Sequence, residues 1–307
     1  MQKPRALQPG DRVAIVAPAS PFNREEFEQG IEEVRQLGFE PVYDESVFAR
    51  RAYVAGEPAV RAAAIQAAWQ DSSVGGLIGV RGGYGSGQLL PLLDREAARR
   101  ARKPLIGYSD LTSLLTFLTT GCDSVAFHGP MLIGRLGRGG AGYDRESLLK
   151  AVGRREPMGE LAPVGLETIR VGEASGILLG GTLTQLLASL ATPFAFSPPS
   201  GYVLFIDEVG ERPYRLDRMI TQLWQTGLLA RASAVVVGEL PRCDDPNGET
   251  TARSVIVDRL AEFNGPVLLG FPSGHTVGPA MTLPFGVSCR VIGGRQPRLV
   301  IEEAAVE

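Results

Sequence analysis

The chain has 307 residues, 44% of them hydrophobic and 21% charged, with a formal net charge of -3. That length exceeds the usual single core and predicts two domains, while the slight acidity excludes electrostatic attraction to nucleic acid or to an anionic membrane. Three cysteines, Cys122, Cys243 and Cys289, have no C-x-x-C spacing and no neighbouring histidine, which argues for reduced thiols and against a zinc site.

Near the start, Lys3 and Arg5 precede VAIVAPAS, but this apolar run is short and follows Pro9-Gly10-Asp11. It reads as a first strand, not a secretory leader, and no apolar stretch reaches membrane-spanning length. The expected compartment is the cytoplasm. Apolar strands at 12–17, 41–43, 76–80 and 104–108 alternate with helical patterns at 24–37, 59–69, 88–100 and 111–119. Alternation of this kind predicts an α/β fold, a parallel sheet with helices on both faces. Ligands then gather at the carboxyl ends of the strands, where Arg81 to Gly83 and Ser109 fall.

Residues 136–175 begin glycine- and arginine-rich and continue with little periodicity, apart from a short helix at 144–152. They read as a linker between an N-terminal domain, 1–135, and a C-terminal domain, 176–307. The latter has strands at 176–179, 202–206, 234–237 and 267–269, helices at 182–190, 214–226 and 250–263, and a terminal hairpin at 286–301.

Within KPLIGYSDLTSLLTFLTT, at 103–120, Leu105, Ile106 and Gly107 read as strand, whereas Leu111, Leu114, Leu115 and Leu118 recur at helical spacing. Ser109 stands at the junction. A hydroxyl on such a turn lies beside the free N–H groups of the helix, which is how a serine nucleophile is mounted. The plainer reading is that Ser109 or Asp110 caps the helix.

Two histidines are available as a base. His275 lies in FPSGHTVGPAMTLPFG, whose glycines and prolines forbid regular helix, and His128 follows a short apolar run. A loop position favours His275. For the carboxylate that orients it, the apolar strand at 202–206 ends in Asp207 and Glu208, which point to opposite faces. The glycine loop RGGYGSG, at 81–87, is not a nucleotide cradle: G-x-G-x-x-G spacing meets Gln88 at its third glycine.

RGGYGSG, GYSD, FHGPM, GGTLTQL, IDEVGERPYRLDRM and GHTVGPAMTLPFG, in this order, resemble the blocks of the LD-carboxypeptidase family of serine peptidases, and the resemblance spans nearly the whole chain. It implies a flavodoxin-like N-terminal sheet, a smaller C-terminal α/β domain with a β-rich end, and a homodimer without cofactor or metal. It further implies a Ser-Glu-His triad, in that chain order, that cleaves the amide before a terminal D-amino acid of a muropeptide. Ser109 and His275 match the family's serine and histidine. The family's usual order is Glu and then a second acid, so alignment favours Asp207 and residue type favours Glu208. The N–H of Asp110 and one from the Gly82-Gly83 turn are the expected oxyanion donors, and Arg81 is placed to meet a terminal carboxylate or else to form a structural ion pair. Two further functions fit these residues: a microcin-immunity peptidase acting on peptidyl or aminoacyl nucleotides, and a non-catalytic muropeptide-binding protein.

Overall fold

The computed structural model describes residues 1–307. The strands are β1 (Arg12–Val16), β2 (Glu40–Val42), β3 (Val74–Gly79), β4 (Leu105–Gly107), β5 (Ala126–His128), β6 (Gly159–Leu161), β7 (Glu167–Arg170), β8 (Gly172–Thr182), β9 (Tyr202–Asp207), β10 (Ala232–Gly238), β11 (Val267–Phe271), β12 (Leu283–Phe285), β13 (Ser288–Gly293) and β14 (Arg298–Ile301).

The first sheet has the order β2-β1-β3-β4-β5, all parallel, with β12 added antiparallel at the β5 edge. Its parallel part is the flavodoxin-like order, which opens a crevice where the loops after β1 and β3 diverge. Local chemistry explains the covering helices. In the helix Arg24–Gln36, Asn23 accepts the Glu25 N–H as a cap, and Phe27, Ile31 and Val34 bury one stripe. The predicted helix at 88–100 is instead two pieces, a 3₁₀ segment Ser86–Leu92 containing Pro91 and a helix Arg95–Ala101. Pro91 supplies no N–H, and Asp94 restarts the helix by accepting from Glu96 and Ala97.

In the second sheet β8, β9, β10 and β11 run parallel; β13, β14 and β6 extend it antiparallel beyond β8, and β7 closes the other edge. Every residue of β9 is buried, as expected of a strand covered on both faces.

The chain passes between the sheets in ways that its periodicity does not reveal. Residues 136–175 carry the expected short helix, as Arg145–Gly153, but also supply the strands β6 and β7. β12 then leaves the second sheet and pairs with β5, Leu283 opposite His128. These strands are only three or four residues long and lie at sheet edges, so no alternation marks them. The larger apolar core is continuous across both sheets, joining Ile106 and Phe127 to Phe205, Phe271 and Leu283.

Candidate active site

Ser109 follows β4 and opens a 3₁₀ turn, Ser109–Leu111, that feeds the helix Thr112–Thr116. Its φ is +62°, a left-handed conformation that a residue with a side chain adopts only when its surroundings enforce it. The glycine loop after β3 lies directly against it. A Cβ on Gly82 would stand 2.8 Å from both Cβ and Oγ of Ser109 and 3.4 Å from the Asp110 nitrogen, so the approach needs glycine. Neither the Gly82 nor the Gly83 N–H has a protein acceptor.

Contacts from three side chains hold this loop. Ser20 Oγ, from the loop after β1, accepts the Tyr84 N–H at 3.1 Å. The buried carboxylate of Asp110 accepts the Ser86 N–H at 2.8 Å. Arg61, also buried, donates to the carbonyls of Pro18, Gly56 and Gly85 and to the Gln88 side-chain oxygen.

Asp207 ends β9 fully buried. Its Oδ2 lies 2.7 Å from His275 Nδ1, Oδ1 accepts the His275 backbone N–H at 3.1 Å, and Thr182 Oγ1, at the end of β8, donates to Oδ2 at 3.3 Å. Glu208 points away. Its Oε2 accepts both the N–H and the hydroxyl of Thr184, and its Oε1 accepts the Val209 N–H, so it caps the first turn of the helix Leu183–Ser189. Burial holds its carboxyl above the usual range against these hydrogen bonds.

His275 sits between β11 and β12, in a segment anchored on one side in the second sheet and on the other in the first. Gly274 has φ +75°, and a Cβ there would stand 2.5 Å from both Asp207 Oδ2 and His128 Cε1. The His275 ring meets the edge of Tyr108, the residue before Ser109, with centroids 5.0 Å apart. Thr182 donates its backbone N–H to Thr112 Oγ1 at 3.0 Å, docking the end of β8 on the helix after Ser109. Asp207 and His275 are thus paired, and Tyr108, the residue before Ser109, packs on the imidazole from the first half of the chain; no hydrogen bond joins Ser109 Oγ to His275.

The second histidine is a core residue. His128 is fully buried against Phe205 and Phe285, with Nδ1 2.9 Å from Ser273 Oγ and Nε2 unpartnered 4.0 Å from Asp207 Oδ2. Burial pushes its pKa down to about 4, so at neutral pH the ring is uncharged.

Arg81 is half-buried, donates to the Pro21 carbonyl at 3.3 Å and forms no ion pair. A cleft of about 370 Å³ opens beside the site, lined by Tyr84, Asp110, Ser113, Gln185 and Thr192 among others. A larger one of about 800 Å³ lies at the opposite, amino ends of β3 and β4 and contains none of these groups. No three His, Cys, Asp or Glu side chains are grouped to hold a metal. A hydroxyl, an imidazole–carboxylate pair and unspent backbone N–H donors constitute the equipment for acyl transfer. Sequence reasoning did not single out Thr182, although it lies in the quoted GGTLTQL block, nor Arg61, which sits in an alanine-rich helix without motif.

Comparison with known proteins gives two family matches: the LD-carboxypeptidase N-terminal domain over residues 13–129 and the LD-carboxypeptidase C-terminal domain over residues 175–291. A Streptomyces coelicolor relative is 37% identical over 301 residues, covering 93% of this chain and 91% of its own. The murein tetrapeptide carboxypeptidase of Pseudomonas aeruginosa is 30% identical over 304 residues, 94% of this chain and 95% of that one. The microcin C7 self-immunity protein of Escherichia coli is 26% identical over 315 residues, 93% and 91% of the two chains. A structure of the microcin C7 self-immunity protein with aspartyl sulfamoyl adenosine matches this fold with a TM-score of 0.90 at 22% identity, over 100% of both chains.

Proposed function

Because the chain belongs to the LD-carboxypeptidase family, we propose that it hydrolyses the amide before the terminal D-alanine of murein tetrapeptides, with Ser109 as nucleophile, His275 as base and Asp207 as its orienting acid. The observation that carries this reading is the 2.7 Å Asp207–His275 contact, set beside a serine held in a left-handed turn against Gly82.

Asp207 takes Nδ1 of the imidazole and leaves Nε2 to act on the Ser109 hydroxyl. As Oγ bonds to the carbonyl carbon, its proton passes to Nε2 and then to the leaving D-alanine nitrogen when the C–N bond breaks. Water, activated by the same nitrogen, releases the acyl group. Acid–base assistance of this kind contributes about 10²–10⁴ in rate. The N–H groups of Gly82 or Gly83 and Asp110 receive the oxyanion, and Arg81, unpaired within the protein, receives the terminal carboxylate. The proposal extends to wall-peptide recycling in the cytoplasm and to a homodimer, both on the family resemblance.

The test incubates the parent protein and Ser109→Ala with muramoyl tetrapeptide ending in D-alanine and measures released D-alanine by mass spectrometry. Release by the parent alone supports the reaction and the nucleophile. No release from a folded parent overturns it and turns the search to aminoacyl nucleotides, then to binding without cleavage.

A further inference from the structure

Arg135 follows β5 and is 5% exposed, yet it forms no ion pair. Its guanidinium is spent on backbone carbonyls. Nη2 donates to Gly274 at 2.8 Å and Thr276 at 3.0 Å, the residues on either side of His275, and Nη1 donates to Gly278 at 3.0 Å and Gly142 at 3.2 Å. The same guanidinium lies 6.0 Å from the centre of the Tyr108 ring, which packs on His275.

We propose that Arg135 is a positioning residue for His275, holding the loop between β11 and β12 from the first half of the chain so that the imidazole stays aimed at Ser109. The inference rests on the Ser109–His275–Asp207 reading. Burying a cation without a carboxylate costs desolvation free energy, which an apolar side chain of similar size avoids. What the cation supplies is a planar fork of donors that joins carbonyls of an irregular segment, groups that no helix or sheet satisfies. The other restraints are few: Asp207 takes the His275 ring nitrogen and backbone N–H, Thr276 Oγ1 donates to the Gly278 carbonyl, and the Val277 N–H reaches Glu239, while Val277 itself is exposed. A catalytic group displaced by 1 Å loses roughly 10²-fold in rate, so a restraint of this kind acts on turnover more than on substrate binding.

The experiment is a double-mutant cycle on D-alanine release with Arg135→Ala, Arg135→Lys, His275→Ala and the Arg135→Ala/His275→Ala pair. Folding is checked by circular dichroism and thermal melting. The expected result is a kcat about 10²-fold below the parent in Arg135→Ala with KM within about twofold, and no further loss when the substitution is added to His275→Ala. Millimolar guanidinium should restore part of the Arg135→Ala rate. Arg135→Lys keeps the charge but cannot span four acceptors, so it should also lose turnover, and it carries the same comparison should the alanine variant not fold. Parental kcat in a folded Arg135 variant overturns the proposal, as does an equal further loss in the His275→Ala background, which marks general damage. If His275→Ala itself keeps the parental rate, the triad reading fails, a result distinct from either.

Discussion

Asp207 holds His275 at two points, one carboxylate oxygen on the ring nitrogen at 2.7 Å and the other on the backbone N–H at 3.1 Å. The side chain is thereby fixed together with the peptide that carries it. Glu208, one residue on, is spent entirely on Thr184 and Val209. Asp207→Asn should lower kcat by about 10⁴-fold, because an amide stabilises the wrong imidazole tautomer and no imidazolium. Glu208→Gln should keep kcat within about tenfold and lower stability by about 1 kcal/mol through its weaker cap. Steady-state kinetics and urea unfolding on the two variants separate the roles; the opposite pattern would reassign the acid.

Arg81 should bind substrate without assisting the chemistry. Arg81→Ala is expected to raise KM at least tenfold, about 1.4 kcal/mol of charge-assisted hydrogen bonding, with kcat little changed. On a substrate whose terminal carboxylate is an amide, parent and variant should perform alike. A persistent difference on that substrate would remove Arg81 from the carboxylate.

Gly82→Ala places a methyl group 2.8 Å from the Ser109 side chain. We expect a folded protein with at least about 10²-fold lower kcat, since the new carbon displaces either the nucleophile or the adjacent N–H donor. A crystal structure of the variant, read alongside its rate, checks the cause; full activity would mean that the loop yields freely.

His128 makes stability depend on pH in a definite sense. Its folded pKa of about 4 lies below the ordinary 6.5, so between these values the unfolded chain binds the extra proton. Its contribution is complete above about pH 6.5 and is lost as pH falls toward 4, by up to ~1.4 kcal/mol per pH unit. Urea midpoints at pH 7, 6 and 5 should fall in that order for the parent, with a shallower slope in His128→Asn. Parallel slopes would show that another group carries the dependence.

The Ser109 turn was legible in the sequence because its signals are local: a short apolar strand, Gly107, and leucines at helical spacing directly after. Four strands of the first sheet were legible for the same reason, alternating with helical patterns within short reach, whereas the three-residue β5 and β12 were not. Alternation along β9 showed that Asp207 and Glu208 face opposite ways, but not which of them meets His275. That depends on where the loop after β11 docks, 68 residues further along the chain.

The sequence alone therefore determined what its own neighbourhood dictates: the α/β class, the mounting of Ser109, the glycine loop beside it and the loop location of His275. Tertiary structure decided the rest. It set Asp207 and not Glu208 against His275, buried His128 into neutrality, and set Arg135 on carbonyls up to 143 residues away. Hydrogen-bond partners and desolvation are properties of the packed sheets, and no periodicity along the chain encodes which distant loop a buried guanidinium will hold.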